Sequence, residues 1–159
     1  MTFRRLVPRD LSAIGALEAE AYLPSLHVSE AAFLRLIELC PDGAVGCFDE
    51  DGLCGYAFGV PLTSGSTLDL RVPLPAIPDA PDIFYIHDVA VSERCRRQGI
   101  GRQLAVQMLD LARDQGFTRI ELVSVQGSAA FWRTLGFVDG HAFEYAPGAP
   151  SLHMTREKP

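Results

Sequence analysis

The sequence lacks any hydrophobic run long enough to cross a membrane. No stretch approaches the ~18 consecutive apolar residues that a membrane-spanning helix requires. The chain opens with the letters MTFRRLVPRDL, which contain no apolar segment typical of a secretion signal. These absences predict a cytoplasmic protein with no membrane partner.

Cysteine is scarce and widely spaced. The four thiols form no CxxC pair, and no histidine cluster accompanies them; they are Cys40, Cys47, Cys54 and Cys95. This spacing excludes the common zinc and dithiol redox motifs. We therefore predict no metal site and expect four reduced, buried cysteines.

Positive charge is also in deficit, because 14 lysines and arginines face 20 aspartates and glutamates, for a net charge of −6. Such a balance argues against a general nucleic-acid surface. Four basic residues nevertheless lie close together, at Arg94, Arg96, Arg97 and Arg102. Local positive charge in an acidic protein suggests a small anionic ligand, and the remaining field weakly favours a cationic partner such as an amine.

The 159 residues correspond to one ordinary domain with a sizeable core, spanning 1–159. Hydrophobic periodicity predicts the element order β-α-α-β-β-β-α-β-α-β-β. Asp10, Ser29 and Ser128 are the expected N-caps of three of the helices. Four prolines between residues 62 and 82 predict a long surface loop there.

Residues Arg96-Arg97-Gln98-Gly99-Ile100-Gly101 lie between a predicted strand (83–91) and a predicted amphipathic helix (100–115). The first N–H groups of a helix have no partner within it, and the helix dipole adds partial positive charge there. Glycines at 99 and 101 remove the Cβ atoms that would hold a phosphate away. The segment is therefore a candidate diphosphate cradle.

Two common phosphate-binding motifs do not match this segment. No lysine follows either glycine, which excludes a Walker loop, and Leu104 stands where a GxGxxG fingerprint needs its third glycine. The remaining RxxGxG pattern resembles the acetyl-CoA loop of the GNAT acetyltransferase superfamily. A second segment, SAAFWRTLGF at 128–137, resembles the AxxxYxxxGF motif of that family. The element order also matches the family from end to end.

This resemblance implies an α+β protein with the GNAT fold: a central, mixed, mostly antiparallel twisted sheet flanked by about four helices. It implies acetyl-CoA as cosubstrate and a monomer or homodimer as the assembly. The cofactor-binding residues that it implies are Val89, Ala90, Val91, Arg96, Arg97, Gln98, Gly99, Ile100, Gly101, Arg102 and Trp132. The backbone N–H of Val89 would polarise the acetyl carbonyl, and residues 89–91 would pair with the pantetheine arm.

Further letters resemble the arylalkylamine (serotonin-type) branch of the family, namely Tyr22-Leu23-Pro24, Ser29-Glu30, Phe33 and the strand YIHDVAV. That branch implies direct transfer of acetyl to a primary amine, here a small arylalkylamine-like molecule. The resemblance places Tyr22, Pro24 and Phe33 at the acceptor site. Two alternatives stay open: acetylation of a peptide or protein amine, or a catalytically degenerate module that only binds acyl-CoA.

The chemistry requires a proton acceptor, because an alkylamine with a pKa near ~10.4 is almost entirely protonated at neutral pH. His87 is the natural relay. Strand alternation would place Tyr85, His87 and Val89 on one face and Asp88 on the other, where we expect a structural role unless a bulge redirects it. The arylalkylamine branch has histidines at this pair of positions, and here Tyr85 replaces the first.

Departure of coenzyme A raises a further question, because many relatives have tyrosine where this chain has Trp132. An indole N–H donates a hydrogen bond but is no acid near neutral pH. Tyr85 could substitute, the thiolate could leave unprotonated, or turnover could be lost. Trp132 is expected either to pack on the sheet or to line the acetyl-CoA channel. Cys95 is not expected to act as a nucleophile, since direct transfer needs no covalent stage.

Overall fold

The computed structural model describes residues 1–66 and 69–158. These residues form four α-helices: α1 (Leu11–Ala21), α2 (Glu30–Leu39), α3 (Ile100–Asp114) and α4 (Ala129–Arg133). The strands are β1 (Thr2–Arg5), β2 (Ala44–Asp49), β3 (Gly52–Leu62), β4 (Ile83–Val91), β5 (Arg119–Val125), β6 (Val138–Ala146) and β7 (Ala149–Glu157). The predicted element order is confirmed.

The strands form one mixed sheet in the order β1-β2-β3-β4-β5-β7-β6. Only the β4–β5 pair is parallel, so the expected mostly antiparallel sheet is confirmed. One core cluster lies between the sheet and α3, and a second lies on the opposite face beneath α1 and α2. Within the described ranges, no helix has the length and apolar character needed to span a bilayer.

Helix α3 shows how the sequence pattern sets the packing. Ile100, Leu104, Met108 and Ala112 recur every four residues, and all are buried against the sheet. The helix ends at Gly116, whose φ of +85° suits a residue without a side chain. These contacts fix the position of the first turn of α3, where the candidate cradle lies.

The expected caps differ in outcome. The Ser29 hydroxyl accepts the Ala32 N–H at 3.1 Å, as predicted for α2. Asp10 makes no cap bond to α1, because its carboxylate accepts the Val7 N–H and pairs with Arg4 at 2.8 Å. Ser128 likewise has no side-chain cap bond to α4. All three residues occupy the predicted N-cap positions, but at Asp10 and Ser128 the side chain bonds to a competing local partner instead of the helix.

The proline-rich segment after β3 is better packed than the prediction of a surface loop suggested. Leu70 and Leu74 enter the core under α2 and are buried. The Arg35 guanidinium donates to the carbonyl oxygens of Leu74 and Pro75 at 3.1 and 2.8 Å. Residues 69–75 therefore form a fixed wall beside the sheet.

The four cysteines are unbonded and buried, as expected. Cys54 and Cys95 bring their sulfur atoms within 2.6 Å, and Asp49 lies in the same cluster. Arg94 already satisfies the Asp49 carboxylate through two hydrogen bonds of 2.6 and 3.0 Å. The prediction that the protein has no metal site stays a prediction.

Substitution of Gly59 should test the packing of α3 on the sheet. An added Cβ would lie 2.5 Å from Cε1 of the buried Phe84, so Gly59→Ala should destabilise the protein by about 1–3 kcal/mol. Gly15→Ala is the matched control, since no atom lies within 4 Å and α1 should gain about 0.5–1 kcal/mol. Urea unfolding measures both changes, and equal stability of the two variants would contradict this packing.

Candidate active site

A β-bulge in β4 determines where its side chains point. Phe58 pairs with Asp88 and Gly59 pairs with Ile86, so His87 is an extra residue without a partner on β3. The alternation is therefore reversed beyond His87. Tyr85 packs with the cluster beneath α1 and α2, whereas Val89 packs with the α3 cluster. The expectation that Tyr85, His87 and Val89 share one face is wrong for this reason.

Strands β4 and β5 separate just where the bulge begins. Their pairing covers only Phe84 to Ile86 on β4, opposite Ile120 to Leu122 on β5. A cavity of about 200 Å³ opens beyond the last pair, and side chains from both core clusters line it. Its lining includes Tyr22, Val28, Tyr85, Ile86, His87, Asp88, Leu122, Ser128, Trp132 and Tyr145. The site therefore passes through the sheet from one face to the other.

His87 is held in this cavity as a neutral imidazole. Burial lowers the pKa of His87 to about 4, and the charge of Asp69 only partly opposes this effect. The Nε2 atom is buried and has no hydrogen-bond partner in the part of the chain that the structure describes. An unpartnered buried nitrogen is costly, which is typical of a group that awaits a ligand.

Asp88 forms the second polar centre of the cavity. The bulge turns its carboxylate toward α1, where it accepts the Tyr22 hydroxyl at 2.5 Å and the Tyr56 hydroxyl at 2.9 Å. Burial raises the pKa of Asp88 to about 7, although both tyrosine bonds oppose the shift. Nearby, burial also raises the pKa of Glu18 to about 7. The bulge thus redirects Asp88, the exception that the sequence prediction allowed for.

Tyr85 and Trp132 border the cavity on opposite sides of the sheet. Burial raises the pKa of Tyr85, with smaller contributions from Tyr145 and Glu121, so its hydroxyl remains protonated. The Trp132 ring packs edge-on against Phe131 and Phe137, at centroid distances of 4.9 and 5.5 Å. Trp132 thus both packs in the cluster beside α3 and lines the cavity, and its predicted contact with acetyl-CoA stays a prediction.

The segment before α3 has the backbone shape of an anion site. Arg97 and Gly99 have positive φ angles of 63° and 76°, and no side chain caps the helix. The backbone N–H of Gln103 donates to the Gly99 carbonyl at 3.0 Å. The backbone N–H groups that precede Gln103 in this first turn have no partner of that helical kind. A Cβ at Gly99 would find its nearest atom only at 3.9 Å, which leaves open space. These features fit a diphosphate.

Other predicted residues lie outside the cavity lining. Phe33 is only 1% exposed and packs against Phe58 at a centroid distance of 4.9 Å, so its position gives it no access to an acceptor. Pro24 begins a short 3₁₀ turn and does not line the cavity. Val89 follows the point where β4 and β5 separate, and its carbonyl oxygen lies 3.0 Å from the Tyr22 hydroxyl, a more distant acceptor than the Asp88 carboxylate.

Two polar residues that the sequence did not single out close the cavity. The Gln126 amide accepts from the Leu23 N–H and donates to the Ala21 carbonyl, both at 2.9 Å. Arg71 donates to the Ser25 carbonyl at 3.2 Å. More than 40 positions separate the partners in each bond, and no local pattern in the sequence could indicate them.

A second cavity, of about 540 Å³, continues along the α1 face of the sheet. It shares Tyr85, Val123 and Tyr145 with the first cavity. Glu121 lines this second cavity, and its carboxylate accepts hydrogen bonds from Arg119 and His153 at 2.8 and 3.1 Å. The two cavities therefore adjoin each other beside the sheet.

The burial of Asp88 should give the protein a measurable pH dependence of stability. The folded pKa of about 7 exceeds the ordinary 3.8, so ionisation costs folding free energy as pH rises through this interval. The wild-type protein should lose folding free energy on the order of a few kcal/mol between about pH 4 and pH 8. Asp88→Asn should not show this loss, because the amide does not ionise.

Urea unfolding at several pH values measures this difference. Asp51→Asn is the matched control, because Asp51 is exposed in the β2–β3 turn. Stability curves of wild type and Asp88→Asn that run parallel over this pH range would contradict the assigned environment.

Comparison with known proteins places this geometry in context. Solved structures share the fold at low identity. GphF, a GNAT-like decarboxylase in complex with isobutyryl-CoA, has a TM-score of 0.80 at 19% identity, covering 99% of each chain. Ard1 from Thermoplasma volcanium has a TM-score of 0.77 at 21% identity, covering 99% of this chain and 97% of that one.

A ribosomal-protein-alanine N-acetyltransferase from Brucella melitensis has a TM-score of 0.72 at 20% identity, covering 99% of each chain. No curated protein matches the sequence. The model of the acetyltransferase (GNAT) family matches residues 13–137, well over half of the chain. The chain therefore belongs to the acetyltransferase (GNAT) family, and it is an acetyl-CoA-dependent N-acetyltransferase.

Proposed function

We propose that the protein transfers the acetyl group of acetyl-CoA directly to the primary amine of a small, arylalkylamine-like molecule. The observation that carries this proposal is the cavity of about 200 Å³ at the separation of β4 and β5. Aromatic and aliphatic side chains dominate its walls, with Tyr22, Tyr85 and Tyr145 on the acceptor side. An apolar or aromatic amine suits such a lining.

The α1–α2 segment and the β6–β7 turn border the cavity, and their packing favours a small acceptor over an extended peptide. Leu26 packs against Ala146 and Ala149 at the β6–β7 turn, and all three are buried. Gln126 ties the same α1–α2 segment to the end of β5. A peptide that extends beyond its terminal residue needs an open groove here, whereas a compact amine fits within the two adjoining cavities.

For the donor, we assign the diphosphate to the N–H groups of residues 97–102, with the Arg96 and Arg97 side chains beside it. Acetyl-CoA supplies the activated thioester. Residues 89–91 lie beyond the last β4–β5 pair, where pantetheine amides could extend the sheet. The Val89 N–H is our candidate donor to the acetyl oxygen, where negative charge develops during attack.

The two side chains next to the bulge receive distinct roles. The neutral His87 accepts a hydrogen bond from the incoming amine through Nε2 and orients its lone pair toward the thioester. Tyr85 stays protonated, so its hydroxyl could donate a hydrogen bond to the departing sulfur without giving up its proton. This arrangement needs neither a metal nor a covalent enzyme intermediate.

Acetylation of a peptide or protein amine is the second candidate. Two of the similar structures, Ard1 and the ribosomal-protein-alanine N-acetyltransferase, favour it. Parallel assays with tryptamine, tyramine and alanine-terminated peptides distinguish the candidates by the mass of the acetylated product. Efficient acetylation of peptides alone would overturn the small-acceptor assignment. Binding of acetyl-CoA without acetylation of any amine would favour the degenerate module.

His87→Ala should lower kcat/KM for the amine by roughly tenfold or more, the loss expected for one well-placed hydrogen bond. The pKa of about 4 means that His87 does not titrate near neutrality. The loss should therefore be uniform from about pH 6 to pH 9. Steady-state kinetics across this range test the role, and an unchanged rate in a folded variant would exclude it.

Gly99→Val should weaken coenzyme A binding, because a branched side chain would occupy the cradle in front of the first α3 N–H groups. Gly116→Val is the matched control: it carries similar backbone strain at the opposite end of α3, with no atom near its Cβ position. Calorimetric titration of both variants compares their affinities. Equal affinities of the two variants for coenzyme A would contradict the assignment of its diphosphate to this loop.

A further inference from the structure

We propose that Tyr22 and Asp88 form the proton-accepting pair of this site, with Tyr22 contacting the acceptor ammonium and Asp88 receiving the proton through it. This inference rests on the proposed function, since it concerns the amine that the cavity receives. It assigns the proton to a carboxylate that the bulge brings into the site, while His87 retains an orienting role.

The geometry brings the required atoms into one chain of hydrogen bonds. Tyr22 is the C-cap residue of α1, and its side chain lines the cavity. Its hydroxyl oxygen lies 2.5 Å from Oδ1 of Asp88. Asp88 itself is 8% exposed and lines the same cavity. Its other oxygen accepts the hydroxyl of the fully buried Tyr56 at 2.9 Å. Of the two tyrosines bonded to Asp88, Tyr22 is therefore the one that reaches the acceptor space.

The proton balance is simple. An ammonium N–H donates to the Tyr22 oxygen while the Tyr22 proton moves to Oδ1 of Asp88, so the amine becomes neutral and Tyr22 is regenerated. The nitrogen lone pair then forms the C–N bond as the C–S bond breaks. The second nitrogen proton neutralises the departing thiolate, and Asp88 later returns its proton to solvent.

Charges on the neighbouring elements suit this task. Glu18 on α1 raises the proton affinity of Asp88, while the hydroxyls of Tyr22 and Tyr56 lower it. Tyr145 from β6 faces the same space, and Arg71 from the segment before β4 lines the cavity. The resulting pKa of about 7 matches a general base at neutral pH, whereas His87 is too weak a base there.

Removal of one hydroxyl at a time gives a matched test. Tyr22→Phe and Tyr56→Phe each delete one hydrogen bond to Asp88, but only Tyr22 lines the cavity. Tyr22→Phe should lower the plateau of kcat/KM by about 100-fold, at the lower end of general-base effects. Tyr56→Phe should shift the rising limb to higher pH and leave the plateau within about threefold, because only the proton affinity of Asp88 changes.

Asp88→Asn supplies an independent signature. Without the carboxylate, the enzyme depends on amine that is already neutral in solution, so kcat/KM should rise steadily toward the amine pKa of about 10. The deficit relative to wild type, about 100-fold near pH 7, should shrink as pH increases. A variant that was merely misfolded would show no such recovery. The affinity for acetyl-CoA, measured by calorimetry, should remain within about threefold of wild type.

These experiments use an amine that the wild-type enzyme acetylates, whether small molecule or peptide. Peptide turnover alone would overturn the small-acceptor assignment while the Tyr22 test still proceeds with that peptide. Equal plateaus for Tyr22→Phe and Tyr56→Phe, or an Asp88→Asn deficit independent of pH, would overturn the proton-accepting pair. A wild-type enzyme that acetylates no amine would overturn both proposals.

Discussion

The site depends on one backbone irregularity, the extra residue that His87 adds to β4. Without it, regular alternation would place Asp88 toward α3 and away from Tyr22 and Tyr56. The parallel pairing of β4 with β5 also ends just before this residue, which opens the sheet. A bulge and an early end of pairing thus provide together what a regular sheet cannot, a polar passage between its two faces.

This passage contains ionisable groups in surroundings that resist their charged forms. Burial raises the pKa of Asp88 and of Glu18, and it lowers the pKa of His87. Each shift has a cost in folding stability, which the large apolar clusters on both faces of the sheet offset. The same shifts leave a carboxylate near its midpoint at neutral pH beside a neutral imidazole. Such a pair combines a proton acceptor with a hydrogen-bond acceptor.

The two substrates of the proposed reaction meet this passage from opposite faces. In the proposed reaction the donor would bind at the α3 turn and residues 89–91, whose suitability depends on backbone conformation more than on particular side chains. The acceptor face is built from the α1–α2 segment, the segment before β4 and the β6–β7 turn, which are joined by Gln126, Arg71 and the Leu26 contact. The acceptor class is therefore a property of loops, and similar folds can serve different amines.

The sequence by itself determined the element order, the glycine turn before α3 and the presence of His87 in β4, because periodicity and glycine placement act locally. It did not determine which face Tyr85, Asp88 and Val89 occupy, since a one-residue bulge reverses alternation and leaves no mark in the letters. It also missed the bonds of Asp10, which depend on competing partners. Only the tertiary structure decided that Tyr22, Tyr56 and Asp88 meet, because the hydrogen bonds that join them connect residues 66 and 32 positions apart.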